Sequence, residues 1–269
     1  MATIYSTGPN ENSSAAADDG TITSGPGHTA TSWQNARAGT GLVVDDAISG
    51  DAHAYTGASS GAAGRGLRYE CVRSFYHFDT SGTTACTAVT LDLMGLQGGA
   101  YNSGTLIVLK SDAFGHSDEN ALSTGDWDGI PGWSGSGGDN MTGATEYSTV
   151  NSSWASAGSY NTITLNSTAI SDINSQDHFI IALVDYTYDY QATTPLASSG
   201  GNLIASNALD VSLGGYHNDF STAARRPRLS LTIAAPSGYG NIVNTVVAAS
   251  IGKVNTVATA DIEKINTVD

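Results

Sequence analysis

Basic side chains are the first scarcity: 10 Lys plus Arg stand against 25 Asp plus Glu, and the formal net charge is −15. A surface of that sign repels phosphate backbones, which argues against nucleic acid as a partner, while it favours solubility and attracts cations. Cysteine is scarcer still, with Cys71 and Cys86 alone. The pair either closes a disulfide across adjacent strands or stays as buried thiols, and spacing does not choose between them. No apolar run approaches the ~18 residues of a membrane helix, so no membrane association is expected. The start, MATIYSTG, has neither a basic n-region nor an apolar h-region. Work outside a cell would then require release by lysis or a leader preceding this sequence, and a virion component needs neither.

Catalytic signatures are also missing. Gly132-Trp133-Ser134-Gly135 is followed by Ser136, so there is no G-x-S-x-G elbow, and neither a Walker A stretch nor His-Glu-x-x-His occurs. Twenty-five acidic residues supply carboxylates without singling out a pair for glycoside hydrolysis. The chain is therefore expected not to be an enzyme and to need no cofactor. Asp18-Asp19, Asp45-Asp46 and His116-Ser117-Asp118-Glu119 place oxygen donors in turns as Ca2+ sites do, which leaves a structural Ca2+ open. Acidic turns are more commonly just solvated. No histidine pair has transition-metal spacing, and His77 is expected to be a hydrogen-bonded core or interface residue.

Glycine is abundant at 32 residues, and short extended segments alternate with Gly-, Ser- and Asn-rich connections. Extended candidates are 2–6, 21–24, 33–38 and 42–44; Gly50 to Gly66 reads as a surface loop. The best strand is Leu67 to Phe78, with Tyr69, Cys71, Arg73, Phe75 and His77 on one face and Val72, Ser74, Tyr76 and Phe78 on the other. Asp79 to Gly82 is a turn. Further strands are expected at 88–96, 105–109 and 160–165, and 203–213 is weakly extended. Phe179 to Tyr186, FIIALVDY, reads as a central strand covered on both faces. Between Leu165 and Phe179, one or two helical turns fit Asn166 to Asn174. Arg228 to Ile233 alternates cleanly and closes the domain, with Pro236-Ser237-Gly238 breaking the chain after it. Many short strands with almost no helix make an all-β sandwich of residues 1–235, followed by a tail, 236–269.

The combination RSFYHFDT at 73–80, then TAVTLDL, then TLIVLKSD, then a closing RPRLSLTI resembles the DNRLRE-type modules of bacteriophage virion proteins and bacterial surface proteins. That resemblance implies a jelly-roll sandwich, on a virion or cell surface, over about residues 2–234. It also covers the tail, since units such as IGKVNTV are similar to repeats that follow these modules in phage structural proteins.

Two functional candidates remain. Trp127, Trp133 and Trp154 in a Gly-rich region, with Tyr186, Tyr188 and Tyr190 alternating on one face, would form a stacking platform for sugars, making the chain a glycan-binding or host-recognition adhesin. Aromatics that cover the edges of a sandwich give the same pattern. Sequons at Asn12, Asn140, Asn151 and Asn166 matter only in a glycosylating cell.

The tail carries the sharper signal. GNIVNTVVAAS, IGKVNTVATAD and IEKINTVD place Asn244, Asn255 and Asn266 eleven residues apart, each between a β-branched residue (Val243, Val254, Ile265) and Thr-Val. Ile242 and Val246 belong to the first unit, Ile251 and Val257 to the second, Ile262 and Val268 to the third. Eleven is also the period of a right-handed helical supercoil, but β-branched residues around Asn-Thr are poor helix material. Extended segments with turns at Gly252 and near Ala260-Asp261 fit better. Units this short bury little on themselves, so they are expected to pair with strands of neighbouring copies, as a homo-oligomer that closes into a ring or runs on as a fibre.

Overall fold

The computed structural model describes residues 2–6, 19–25, 29–38, 40–45, 53–61, 68–94, 102–103, 105–116, 122–152, 159–195, 211–216, 226–234, 253–254 and 257–258. In chain order the strands are β1 (Ala2–Tyr5), β2 (Asp19–Ser24), β3 (Val43–Asp45), β4 (His53–Gly61), β5 (Arg68–Asp79), β6 (Cys86–Met94) and β7 (Asn102–Ser103). They continue with β8 (Leu106–Lys110), β9 (Tyr160–Thr164), β10 (His178–Asp185), β11 (Val211–Tyr216), β12 (Arg228–Ile233), β13 (Lys253–Val254) and β14 (Val257–Ala258). Two helices accompany them, α1 (Trp33–Arg37) and α2 (Ser167–Ser175). Contacts divide the chain into Met1–Thr232 and Ile233–Asp269.

The first unit is all-β and holds two antiparallel sheets. One has the order β1-β12-β6-β9; the other runs β3-β2-β5-β4-β11-β7, with β10 joining β5 to β8. Strand β5 is the spine of the larger sheet. One edge pairs with β2 from Cys71 to Tyr76, and the opposite edge is shared end to end, β4 taking Arg68 to Val72 and β10 taking Ser74 to Asp79. Its alternation sorts side chains as expected from the sequence. Tyr76 and Phe78 are buried toward the smaller sheet with Val89, Leu91, Leu93, Leu229 and Leu231, whereas Tyr69, Cys71 and Phe75 are buried in a second cluster on the other face. Strand β10 contributes to both, Ile181 and Leu183 to the first and Ile180, Ala182 and Val184 to the second, so it is covered on both faces. Each fully buried Phe or Leu of these layers contributes about 2 kcal/mol relative to exposure.

The second cluster needs a lid, because a sheet face with Phe75, Ile180 and Val184 cannot stay in water. Helix α1 and the segments 111–116 and 122–144 supply it, with two 3-10 turns, Ala113–His116 and Thr124–Asp128. The sequence reads 33–38 as extended, and the structure corrects this to α1. Ser32 caps that helix by accepting from Asn35 N at 3.1 Å, and Trp33, Ala36 and Arg37 share its buried side at helical spacing. Gly50 to Gly66 is corrected in part: β4 runs through its middle, antiparallel between β5 and β11. A run of Gly, Ala and Ser has little side chain to announce a strand, and backbone pairing on both edges makes it one.

Helix α2 forms where helical turns are expected. Asn166 accepts from Thr168 N and Ala169 N at 3.0 and 3.1 Å, and Ala169 and Ile173 face the core. Cys71 and Cys86 are both buried free thiols, in different clusters, which rules out their disulfide. His77 is buried and hydrogen-bonded to His178, Nε2 to Nδ1 3.1 Å, as the reading of a hydrogen-bonded core residue has it.

Candidate functional site

Arg73 stands on the apolar face of β5, between Cys71 and Phe75 and fully buried. A buried guanidinium demands a carboxylate and acceptors for its N–H groups. Asp189 meets it from the end of β10: Arg73 Nε donates to Oδ2 at 2.7 Å and NH2 to Oδ1 at 2.9 Å, a two-pronged pairing. A second buried guanidinium, Arg37 of α1, donates through Nε to Asp189 Oδ1 at 3.0 Å and reaches the Asp189 carbonyl as well. One carboxylate thus sits between two cations.

Local folding brings Asp189 there. After Asp185 the chain winds into a single π-helical turn, Tyr186–Tyr190, closed by Gln191 N donating to Tyr186 O at 3.0 Å. The Asp185 carboxylate caps it by accepting from Tyr188 N at 2.6 Å. The sequence reading of YTYDY as an alternating tyrosine face is corrected by this turn. Tyr186 and Tyr190 stack on each other with centroids 5.3 Å apart, and Asp189 points inward.

The aromatic candidates close the cluster. Trp127 is fully buried and Trp133 is 9% exposed. The Arg73 guanidinium lies between them, 3.9 Å from the Trp127 ring centroid and 4.3 Å from that of Trp133. Trp127 also accepts from Arg73 NH1 through its carbonyl at 2.8 Å and donates from Nε1 to Arg37 O at 2.9 Å. A ring whose face carries a guanidinium, in a site without solvent, offers nothing for a sugar to stack on. The two tryptophans are therefore parts of a cation sandwich inside the body. Tyr188 is half-buried, its carbonyl accepting from Trp33 Nε1 at 3.1 Å, and Trp154 lies outside the described residues.

The loop after Trp133 completes the shell. Arg37 donates to the carbonyls of Gly137 and, at 2.9 Å, Asp139. Gly137 is required by that approach, since a Cβ there would come within 1.9 Å of Gln34 O.

Electrostatics follow from the geometry. Burial alone would raise the Asp189 carboxyl, but the Arg73 and Arg37 guanidiniums outweigh it and hold the group below the ordinary carboxylate value. Asp185 lacks a cation, and burial pushes it up to about 7, against the pull of the Tyr188 N–H and with a further push from Asp189. Burial, then the Asp189 charge, raise the Cys71 thiol well above its usual value, leaving it unreactive. Asp189, Arg37 and Arg73 are saturated by one another and by backbone carbonyls, so the arrangement locks α1, β5 and the 122–144 lid together. It presents no group to a substrate. Among the described residues no three His, Cys, Asp or Glu are grouped to hold a metal, and no helix is long and apolar enough to cross a membrane. Of the acidic turns, Asp18, Asp46 and 117–119 fall outside the described residues.

In the tail, β13 and β14 pair antiparallel, Lys253 with Ala258 and Val254 with Val257, leaving only Asn255 and Thr256 between the paired residues. Lys253, Val254, Val257 and Ala258 are extended, and the turns expected at Gly252 and near Ala260-Asp261 lie outside the described residues. Ile242, Val243, Asn244, Val246, Ile251, Asn255, Ile262, Ile265, Asn266 and Val268 lie outside the described residues.

The buried ionic cluster carried one sequence signal, a charged residue within an apolar strand face, but its partner lies 116 residues away. Neither a model of a known protein family nor a curated protein matches the chain, and its own residues alone carry the functional reading.

Proposed function

We propose that the chain is a non-enzymatic structural subunit: a jelly-roll sandwich of the DNRLRE-like kind, displayed on a virion or outside a cell, whose C-terminal repeats join copies into a homo-oligomeric fibre or virion appendage. The observation that carries the reading is the hairpin pairing of Val254 with Val257 inside a unit whose Val-Asn-Thr-Val core recurs at 243–246 and, with Ile in front, at 265–268. Strands this short are stable only beside further strands. In the body, Trp127 and Trp133 are turned inward around Arg73, so the alternative reading as a glycan-binding or host-recognition adhesin rests on Trp154 and Tyr188.

Deletion of Asn241 to Asp269 tests it. The truncated protein is expected to remain soluble and folded and to run as a monomer in multi-angle light scattering, while the full chain forms the larger species. Retention of the same oligomer after deletion would remove the basis of the proposal.

A further inference from the structure

Helix α2 is clasped to both sheets by its side chains. Toward the smaller sheet, Asn174 brackets Cys86 of β6, accepting from Cys86 N at 2.8 Å and donating to Cys86 O at 2.9 Å. Toward the larger sheet, Asp172 Oδ2 accepts from Lys110 Nζ of β8 at 2.8 Å. The same oxygen accepts from the Tyr147 hydroxyl. An amine and a phenol therefore converge on one carboxyl group, outside the cluster around Asp189.

Backbone hydrogen bonds fix all three groups. Tyr147 N donates to Val108 O at 2.8 Å and Lys110 N to Thr145 O at 2.9 Å, so the amine and the phenol rise from neighbouring segments. The Tyr147 carbonyl accepts from Asn166 N at 2.8 Å, and Asn166 caps α2, the helix that carries Asp172. The Tyr147 ring is buried and stacked on Phe179, centroids 4.9 Å apart, which leaves its hydroxyl little freedom. Burial, then the hydrogen bond to Asp172, raise that phenol far above its usual value, so it stays a proton donor. The Lys110 and Asp172 side chains are 27% and 17% exposed, so most of the pair is withdrawn from water.

We propose that Lys110 Nζ and Asp172 Cγ condense into an intramolecular amide, so that the chain modifies itself at this site. An ion pair in open water stays ionic, because the proton remains on nitrogen and the partners separate. Groups held together by a fold react as if one were present at about 10⁵–10⁸ M, and partial burial weakens the solvation that keeps both charged. In the step, the ammonium passes one proton to Asp172 Oδ2, and the Nζ lone pair then attacks Cγ. The Cγ–Oδ2 bond breaks, and Oδ2 leaves as water with a second proton from Nζ; no oxidant, reductant or cofactor enters. The Tyr147 hydroxyl, hydrogen-bonded to Oδ2, stabilises the departing oxygen and ends unchanged. The amide ties β8 to α2, the helix that brackets β6, and so braces the two sheets against separation. It does not depend on the assembly reading.

Intact-mass spectrometry of the full chain, freshly purified and again after days at physiological temperature, reads the bond as the loss of one water molecule. Peptide mapping should then find a branched peptide joining Lys110 to Asp172. Lys110→Arg keeps the charge and should retain the full mass. Tyr147→Phe keeps the ring in its stack and should slow the bond about tenfold or more, as loss of one aligned donor does. Circular dichroism confirms that both variants are folded. A natural chain that keeps its full mass, with Lys110 recovered unmodified, overturns the proposal. So does a water loss that persists in Lys110→Arg, as cyclisation at Asp128-Gly129 would give. Equal rates in the natural chain and Tyr147→Phe overturn the part given to the phenol.

Discussion

Replacing Asp189 with Asn should be among the most destabilising single changes in the body. The variant keeps the shape of the side chain but removes the one negative charge between two buried guanidiniums. Three charge-assisted hydrogen bonds end on that carboxylate, from Arg37 Nε at 3.0 Å, Arg73 Nε at 2.7 Å and Arg73 NH2 at 2.9 Å. Taken singly at about 2 kcal/mol each they would sum to about 6 kcal/mol, part of which the desolvation of three ions already offsets. What remains after substitution is two cations without water or counter-charge, and breaking a buried pair in this way costs about 3–5 kcal/mol. Against a total stability of about 5–15 kcal/mol, that is a large fraction, and at about 2–4 °C per kcal/mol it lowers Tm by about 10 °C. Urea unfolding read by tryptophan fluorescence measures it, since Trp127 and Trp133 flank the Arg73 guanidinium. A loss below about 1 kcal/mol would show that the cluster is not a lock. A companion triple variant, Arg37→Met, Arg73→Met and Asp189→Leu, should recover most of the stability, because no stranded charge is left.

Asp185→Asn should flatten the pH dependence. Its folded carboxyl is raised to about 7, so its contribution is fully present below the ordinary carboxylate value and is lost as pH rises through 7. The natural protein is expected to lose about 2.5 kcal/mol from this group between pH 5 and pH 8, and the variant none of it; equal urea midpoint shifts in both proteins would refute the assignment. The two indoles should separate cleanly. Trp127→Phe forfeits the bond to Arg37 O and should cost about 1–2 kcal/mol more than Trp133→Phe, whose Nε1 is buried without a hydrogen-bond partner, and thermal unfolding of the pair decides the order. Removal of Asn241 to Asp269 bears on assembly, read by light scattering as described above.

The parts of this fold that show in the sequence are those where side chains do the specifying. Alternation along β5 predicts which of Phe75 and Phe78 faces which cluster, and the unbroken apolar run of β10 predicts its burial on both sides. Strand β4 is silent because its Gly, Ala and Ser residues are organised by hydrogen bonds to β5 and β11, which no pattern of hydrophobicity records. Helix α1 is silent because five residues are too few for a period, and Ser32 with tertiary burial of Trp33 and Arg37 decides its form. From the sequence, Trp127 and Trp133 fit a stacking platform and the cover of a sandwich equally, and in the folded chain they enclose Arg73. Their inward turn depends on Arg37 and Asp189, which lie 152 residues apart and meet only in the folded chain.

The end-to-end sharing of one edge of β5 sets an order of events in folding. Strand β4 joins β5 across a short separation and β2 across about 50 residues, whereas β10 pairs Phe179 with Phe78 across about 100, the costliest of the three closures by about 0.6 kcal/mol over β2. Asp189 follows β10 by four residues, so its carboxylate reaches Arg73 only after this strand has docked. Until then both guanidiniums stay hydrated and contribute nothing to the search. The ionic cluster therefore acts late, as a brake on unfolding and not as a guide to folding, and its strength is expressed in how long the body, once folded, stays folded.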